Sequence, residues 1–147
     1  MPKMIFVNLP VADVDRSVAF YEAIGATRDE RFCQAGSAAM LMFSDTISLM
    51  VLSHARFSDF TSKRIIDART DCEVLICLSE DSRDAVDQTL AKAVAAGARP
   101  DPAPAQDLGF MYGRSFQDPD GHSIELTWMD LDAAMAAMAG GDEPVDA

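Results

Sequence analysis

The order of predicted elements repeats within the chain, and this internal repeat constrains the fold more than any other feature of the sequence. A strand and helix ending in AIGA at residues 23–26 parallel a later strand and helix ending in AAGA at residues 95–98. The stretch SDTISLMVL likewise parallels the stretch GHSIELTWM. Self-similarity of this kind indicates a duplicated supersecondary unit. The sequence therefore predicts two β-α-β-β-β modules in a chain of 147 residues.

The clearest local signal is a β-hairpin whose turn reads Asp-Pro-Asp-Gly at residues 118–121. Proline fixes φ in such a turn, and glycine accepts a positive φ. The strand after the turn alternates, and its more apolar face contains His122, Ile124, Leu126 and Trp128. Glu125 lies on the opposite face, so we expect its side chain to point away from the core.

Strand, cap and breaker signals give the organisation of the chain. Asp13 is expected to cap a helix that Gly25 ends. A strand is expected at residues 73–79, and the proline-rich residues 99–105 can form at most an edge strand because proline donates no ladder hydrogen bond. The predicted units are a first module at 1–53, a linker that could form a lid at 54–71, a second module at 72–129, a helix at 130–139 and a disordered acidic tail at 140–147.

Composition and charge narrow the classes of function. The net charge of −12 argues against nucleic-acid and membrane partners, since both need basic patches to replace counterions. No run of about 18 apolar residues and no signal-peptide segment is found, so we expect a cytoplasmic protein. The cysteines have no zinc-binding or redox spacing and are predicted to be buried, reduced thiols: Cys33, Cys72 and Cys77.

The two modules, the segment VADVDRSVAFYEAIG and the segment FQDPDGHSIEL together resemble the vicinal oxygen chelate superfamily. This superfamily contains glyoxalase I, bleomycin-resistance proteins and extradiol dioxygenases, and the likeness spans residues 4–129. The resemblance implies an α+β, glyoxalase-like fold in which tandem βαβββ modules form a curved mixed sheet around a cavity, with helices on the convex face. It also implies a homodimer and a small-molecule ligand.

The resemblance implies which side chains face the cavity if the aliphatic faces pack on the helices: Phe6, Asn8, Ser48, Met50, Glu73, Leu75, Cys77 and Glu125. Metal enzymes of the superfamily place ligands on four strands, and the matching positions are Phe6, Ser48 or Met50, Leu75 and Glu125. Only Glu125 is an ordinary metal ligand, whereas catalytic sites supply about three. We therefore expect no cofactor, and a divalent metal only if His54 or His122 completes a site with Glu125.

Four further residues are candidates for contact with a ligand. Tyr112 and Arg114, on the first strand of the hairpin, could bind an acidic group of a substrate, because arginine offers planar bidentate donors. The alternative for Arg114 is an ion pair with one of the 24 acidic side chains. Phe57 and Phe60 could form an aromatic lid, or could simply hold the linker against the body of the protein.

Three functions remain open at this point. The first is a metal-free protein that binds a small organic molecule, similar to the bleomycin-resistance members; an acidic chain with an apolar cavity would suit a cationic, partly aromatic ligand. The second is a metal-dependent lyase, similar to lactoylglutathione lyase, or a dioxygenase with a rearranged metal site. The third is a metal-independent enzyme that uses Glu125 as a general base or as an anchor for a polar ligand. We favour the first because the metal ligands are missing.

Overall fold

The computed structural model describes residues 1–140, which form two mixed sheets and four α-helices. The predicted α+β class is confirmed. The first sheet has the order β1-β4-β3-β2 and contains β1 (Ile5–Val11), β2 (Thr27–Gln34), β3 (Ala38–Met42) and β4 (Ile47–Ser53). The second has the order β5-β9-β8-β6, with β7 also on β8, and contains β5 (Ile76–Ser79), β6 (Arg99–Pro100), β7 (Gln106–Asp107), β8 (Met111–Gln117) and β9 (Ser123–Met129). The helices are α1 (Val14–Ala23), α2 (His54–Phe57), α3 (Arg83–Ala95) and α4 (Leu131–Gly140).

The two sheets repeat one topology, as the internal similarity of the sequence predicts. In each, the first strand pairs in parallel with the last, β1 with β4 and β5 with β9. Among residues 1–140 the two sheets are hydrogen-bonded separately, since β1 and β5 each pair with a strand on one side only. Within the described part of the chain, both strands therefore lie at the edges of their sheets.

Local signals explain where the two long helices begin and end. The Asp13 side chain accepts a hydrogen bond from the backbone N–H of Arg16 at 3.1 Å, which caps α1 as predicted. The Ser82 hydroxyl accepts the corresponding bond at the start of α3. Each helix is followed by a glycine with positive φ, Gly25 or Gly97, which ends it at low cost.

One hydrophobic core is shared by both sheets and by α1 and α3. Phe20 of α1 packs against Phe116 of β8 with ring centroids 5.8 Å apart, and both side chains are buried. Val86 and Leu90 of α3 belong to the same cluster as Val51 of β4. Burial of one such side chain contributes about 1.5–3 kcal/mol, so the helices bind the two sheets together.

The Asp-Pro-Asp-Gly turn between β8 and β9 is hydrogen-bonded to α1 and to the residues just before it. Asp118 accepts a hydrogen bond from the Tyr21 hydroxyl at 2.6 Å, and both residues are buried. Asp120 accepts one from the backbone N–H of Ala12 at 2.8 Å and one from the Ser17 hydroxyl at 3.3 Å. These polar groups gain their hydrogen-bond partners when the turn packs against the helix. The turn therefore connects the second sheet to α1, and this connection is called the turn–helix joint below.

The linker also packs on this turn, at Gly121. That glycine has a φ of +95°, and a Cβ at this position would lie 2.7 Å from the backbone nitrogen of Arg69. Both the positive φ and the close approach require glycine. The linker path is therefore fixed by contact between residues 68–69 and the turn.

The structure can be compared with four expectations from the sequence, which concern β5, the proline-rich stretch, the cysteines and the C-terminal tail. β5 begins at Ile76 rather than residue 73, because the residues before Ser123, which would face it, form the turn. The proline-rich residues 99–105 supply only the two-residue edge strand β6, as expected, and β7 begins just after them. All three cysteines are free, but Cys72 and Cys77 are exposed rather than buried. The predicted tail, except Gly140 in α4, lies outside the described residues. Among residues 1–140, no helix is long and apolar enough to cross a membrane.

Candidate functional site

Glu125 lies on the face of the second sheet that is turned away from the shared core. Its neighbours Ile124 and Leu126 are fully buried on the other face. Across the strands Glu125 stands beside Cys77 of β5 and Ser115 of β8. The Ser115 hydroxyl is buried without a hydrogen-bond partner among the described residues. This face therefore combines a carboxylate, a thiol and an unsatisfied hydroxyl.

The corresponding face of the first sheet is more apolar. Asn8 is in register with Met50, and Met50 with Met40, whereas Phe6 is in register with Ser48. Phe6 is 46% exposed, but Ser48 is only 1% exposed and its hydroxyl has no partner among residues 1–140. The predicted positions of the first module thus share one face, although Ser48 is covered.

A cavity of about 340 Å³ lies on this face of the first sheet and is called the sheet-walled cavity below. Its floor includes Asn8, Met50 and Leu52. Phe32 of β2 and Phe60, at the end of a short 3₁₀ turn after α2, supply aromatic walls, and both are exposed. The volume lies within the range of small-molecule sites, which are mostly apolar with a few polar groups.

Two arginines line the sheet-walled cavity, and both are already paired. The Arg31 guanidinium lies 2.8 Å from a carboxylate oxygen of Asp29 and holds the pKa of that carboxyl below its usual value. The Arg56 guanidinium lies 2.8 Å from Asp59 and stacks over the Phe60 ring at 4.7 Å. The cavity therefore offers a ligand apolar and aromatic contacts and the Asn8 amide rather than a free charge.

A second cavity, of about 380 Å³, lies between the linker and the facing parts of β1, β5 and β9, and is called the linker cavity. Among residues 1–140, Asn8 is the only one that lines both cavities. Phe57 lines the linker cavity and Phe60 the sheet-walled cavity, so the two predicted lid residues serve different spaces.

Tyr112 and Arg114 lie on the core-facing side of the second sheet, where they contact α3 rather than either cavity. The Tyr112 hydroxyl and the Arg114 guanidinium both donate to Asp87 of α3, at 2.7 and 3.0 Å, and together lower its pKa. Arg114 also pairs with Asp101 at 2.6 Å. The ion-pair alternative for Arg114 is therefore the arrangement observed.

The two histidines lie apart from Glu125. His122 donates its Nε2–H to the carbonyl oxygen of Pro10 at 2.7 Å, since a carbonyl oxygen can only accept. His54 begins α2 and lines, together with His122, a third cavity of about 230 Å³ that does not include Glu125. Leu75 precedes β5 and is 62% exposed.

The sequence interpretation missed several residues that line the cavities. Phe32 reaches the sheet-walled cavity because the pairing of β2 with β3 is irregular between Asp29 and Gln34, and such irregularities turn side chains out of strict alternation. Arg56 stands four residues before Phe60, a helical spacing that could have indicated their stacking. Lys63 and Arg64 of the linker carry no comparable local signal.

The comparison that decides the family is a sequence match. The sequence model that describes the Glyoxalase/Bleomycin resistance protein/Dioxygenase superfamily matches residues 3–126 of this chain. The chain belongs to this superfamily. The suspected resemblance is thereby confirmed. No protein of curated function matches the sequence significantly.

Several solved structures are similar to this chain in fold. A hypothetical protein from S. aureus is 23% identical with a TM-score of 0.72, over 87% of this chain and 94% of that chain. The fosfomycin resistance protein FosX from Listeria monocytogenes is 17% identical with a TM-score of 0.63, over 90% and 97%. Lactoylglutathione lyase from Agrobacterium tumefaciens is 18% identical with a TM-score of 0.64, over 89% and 97%. At these identities the likeness concerns the fold.

Metals are frequent in the glyoxalase superfamily, but the donor set of this chain does not fit one. Phe6 and Leu75 are hydrocarbon side chains at implied ligand positions, and only Glu125 offers a usual ligand atom. Among residues 1–140, no three His, Cys, Asp or Glu side chains are grouped so that they could hold an ion. Neither histidine joins Glu125, so the rearranged metal site has no counterpart within the described part of one chain.

Proposed function

We propose that the protein binds a small organic molecule in the sheet-walled cavity. The observation that carries this proposal is the cavity of about 340 Å³ with Met50 and Leu52 in its floor and Phe32 and Phe60 at its side. An exposed aromatic ring gains most when a flat apolar group stacks on it, so Phe32 and Phe60 favour an aromatic or otherwise apolar ligand. The names of two similar structures refer to fosfomycin resistance and to lactoylglutathione, which are consistent with small-molecule ligands in this superfamily.

The local charges favour a neutral ligand over the cation that the net charge alone suggests. Both arginines at the cavity are paired with carboxylates, and the described residues that line it include no acidic side chain. A cationic ligand would lie close to two guanidinium groups without a carboxylate in direct contact. A neutral ligand avoids this cost and retains the Asn8 amide as a hydrogen-bonding partner.

A thermal-shift screen of neutral aromatic compounds tests the proposal. A ligand that binds only the native state raises its stability by about 2.7 kcal/mol at a hundredfold excess over Kd. We expect the shift to vanish in Met50→Trp, which fills the cavity, and to fall in Phe60→Ala, whose side chain is 66% exposed and does not support the core. Tyr112→Phe is the control, because Tyr112 lies outside the cavity. Shifts of equal size in all four proteins would place the ligand elsewhere.

We further propose that the protein is a homodimer. The backbone N–H of Ile5 pairs with Thr46, so the alternate residues Phe6 and Asn8 direct their backbone groups to the free edge of β1. Phe6 and Leu75 are 46% and 62% exposed, which favours a covering surface. Light scattering should give twice the chain mass for the native protein and a monomer for Asn8→Pro, which removes an edge donor. A monomeric native protein would refute this assembly.

A second candidate function is supported by the surroundings of Glu125. Its carboxylate accepts no hydrogen bond from the described residues, and the buried Ser115 hydroxyl beside it is also unpartnered. A carboxylate with free acceptor sites would serve as a general base toward a ligand on this face. If a screening hit is turned over, Glu125→Gln should abolish turnover and preserve the thermal shift. Unchanged turnover in that variant would remove Glu125 from the chemistry.

A further inference from the structure

The linker cavity is a site separate from the sheet-walled cavity. Leu9 of β1 and Ile76 of β5 form part of its inner wall, and the linker closes it from outside with Ile65 and Ile66. Met50 and Phe60 do not line it. Its volume of about 380 Å³ lies at the lower end of the range for small-ligand sites. The cavity therefore has room for one compact molecule with an apolar group.

Charged side chains of both signs line this cavity. The basic pair is Lys63 and Arg64, and the acidic pair is Asp71 and Glu73. Among residues 1–140, none of the four has an oppositely charged atom within 4.0 Å. This differs from the sheet-walled cavity, where each arginine is paired. A ligand that carries one charge would satisfy one pair and face like charge on the other.

We propose that the linker cavity binds a small zwitterion with an apolar side chain, of the α-amino acid class. Its carboxylate pairs with Lys63 and Arg64, and its ammonium group pairs with Asp71 and Glu73. The side chain packs on the aliphatic wall, where removal of apolar surface from water supplies the favourable free energy. The two ion pairs supply specificity for a molecule that carries both charges.

The chain contains a reporter for occupancy of this cavity. Cys72 lines the linker cavity and is exposed, so its thiol is accessible to an alkylating reagent. Cys77 is also exposed but does not line the cavity, and it serves as an internal control. A bound ligand should cover the first thiol and leave the second free.

The experiment measures iodoacetamide modification of the two thiols by peptide mass spectrometry in the intact protein. Three compounds that each contain one phenyl ring are compared. L-Phenylalanine carries both charges, 3-phenylpropionate carries only the negative charge, and 2-phenylethylamine carries only the positive charge. We expect saturating L-phenylalanine to slow the modification of Cys72 at least about fivefold. The modification rate of Cys77 should change by less than about twofold. To protect Cys72 to the same extent, each singly charged analogue should need a concentration at least about tenfold higher. A tenfold difference corresponds to about 1.4 kcal/mol of binding free energy.

Two conservative variants test the charge assignment without disturbing the core, since both side chains are exposed. Arg64→Gln should reduce the advantage of L-phenylalanine over 2-phenylethylamine, and Glu73→Gln should reduce its advantage over 3-phenylpropionate. Circular dichroism confirms that each variant is folded. Absence of selective slowing at Cys72, or equal slowing by all three compounds, would overturn the proposal.

Discussion

The buried hydrogen bond between Tyr21 and Asp118 makes a quantitative prediction. Asp118 accepts two backbone N–H groups on one carboxylate oxygen, both at 2.9 Å, and the Tyr21 hydroxyl on the other at 2.6 Å. Tyr21→Phe leaves the first oxygen satisfied and the second buried without a partner. Hydrogen bonds to charged groups contribute about 1.5–3 kcal/mol, so we expect a loss of that size near pH 8.

The loss should depend on pH in a defined direction. Burial raises the pKa of Asp118 above its ordinary value. A carboxyl with a higher pKa in the folded state holds its proton more readily when folded, so the free energy of unfolding falls as pH rises from the unfolded pKa through the folded pKa. Removal of the Tyr21 donor raises the folded pKa further. The cost of Tyr21→Phe should therefore be larger at pH 8 than at pH 5.

Urea denaturation at pH 5 and pH 8, both above the isoelectric point of about 4.3, measures this cost. The single tryptophan, Trp128, provides the fluorescence signal. Tyr112→Phe is the matched control, because its hydroxyl donates to Asp87 at 2.7 Å in an exposed position. We expect that control to cost less than about 1 kcal/mol at either pH. A cost for Tyr21→Phe no larger than for Tyr112→Phe would refute the reasoning.

Three further predictions follow from individual side chains, each measured by urea denaturation. Gly121→Ala should cost at least about 2 kcal/mol, because strain and collision with the linker add, whereas Gly36→Ala, also at positive φ but with open space, should cost about 1 kcal/mol. Ser48→Ala should be neutral or stabilising by up to about 1 kcal/mol, since its hydroxyl is buried without a partner; a clear loss would reveal a partner. Arg114→Lys should cost about 1 kcal/mol at low salt and less in 0.5 M (about 4 Å Debye length) salt; a salt-independent loss would instead indicate packing.

Sequence patterns predict most of the fold because its signals are local. Asp13 and Gly25 bound α1 through their own backbone geometry, and the alternation in β9 buries Ile124 and Leu126. The predicted start of β5 was wrong because it depends on where β9 begins, at Ser123, which is 47 positions after Ile76. A strand needs a partner, and a single segment does not reveal where its partner ends.

The candidate site was only partly predictable for the same reason. Asn8 and Met50 share a face because strands alternate, and the structure places both at the sheet-walled cavity. Phe32 joins them through an irregularity in strand pairing, which depends on two strands at once. The linker cavity depends on the path of the linker over Gly121, a contact between distant parts of the chain.

The turn–helix joint also bears on how the protein folds as it is synthesised. The bonds from Tyr21 to Asp118 and from Ala12 to Asp120 connect residues 97 and 108 positions apart. During translation the first module is synthesised long before Asp118 and Asp120, the residues that accept these hydrogen bonds. Non-local contacts of this kind slow folding, because the chain must close a long loop before it gains them. The first module would therefore remain incompletely packed until the turn is synthesised, with the start of α1 and one face of the module exposed to solvent.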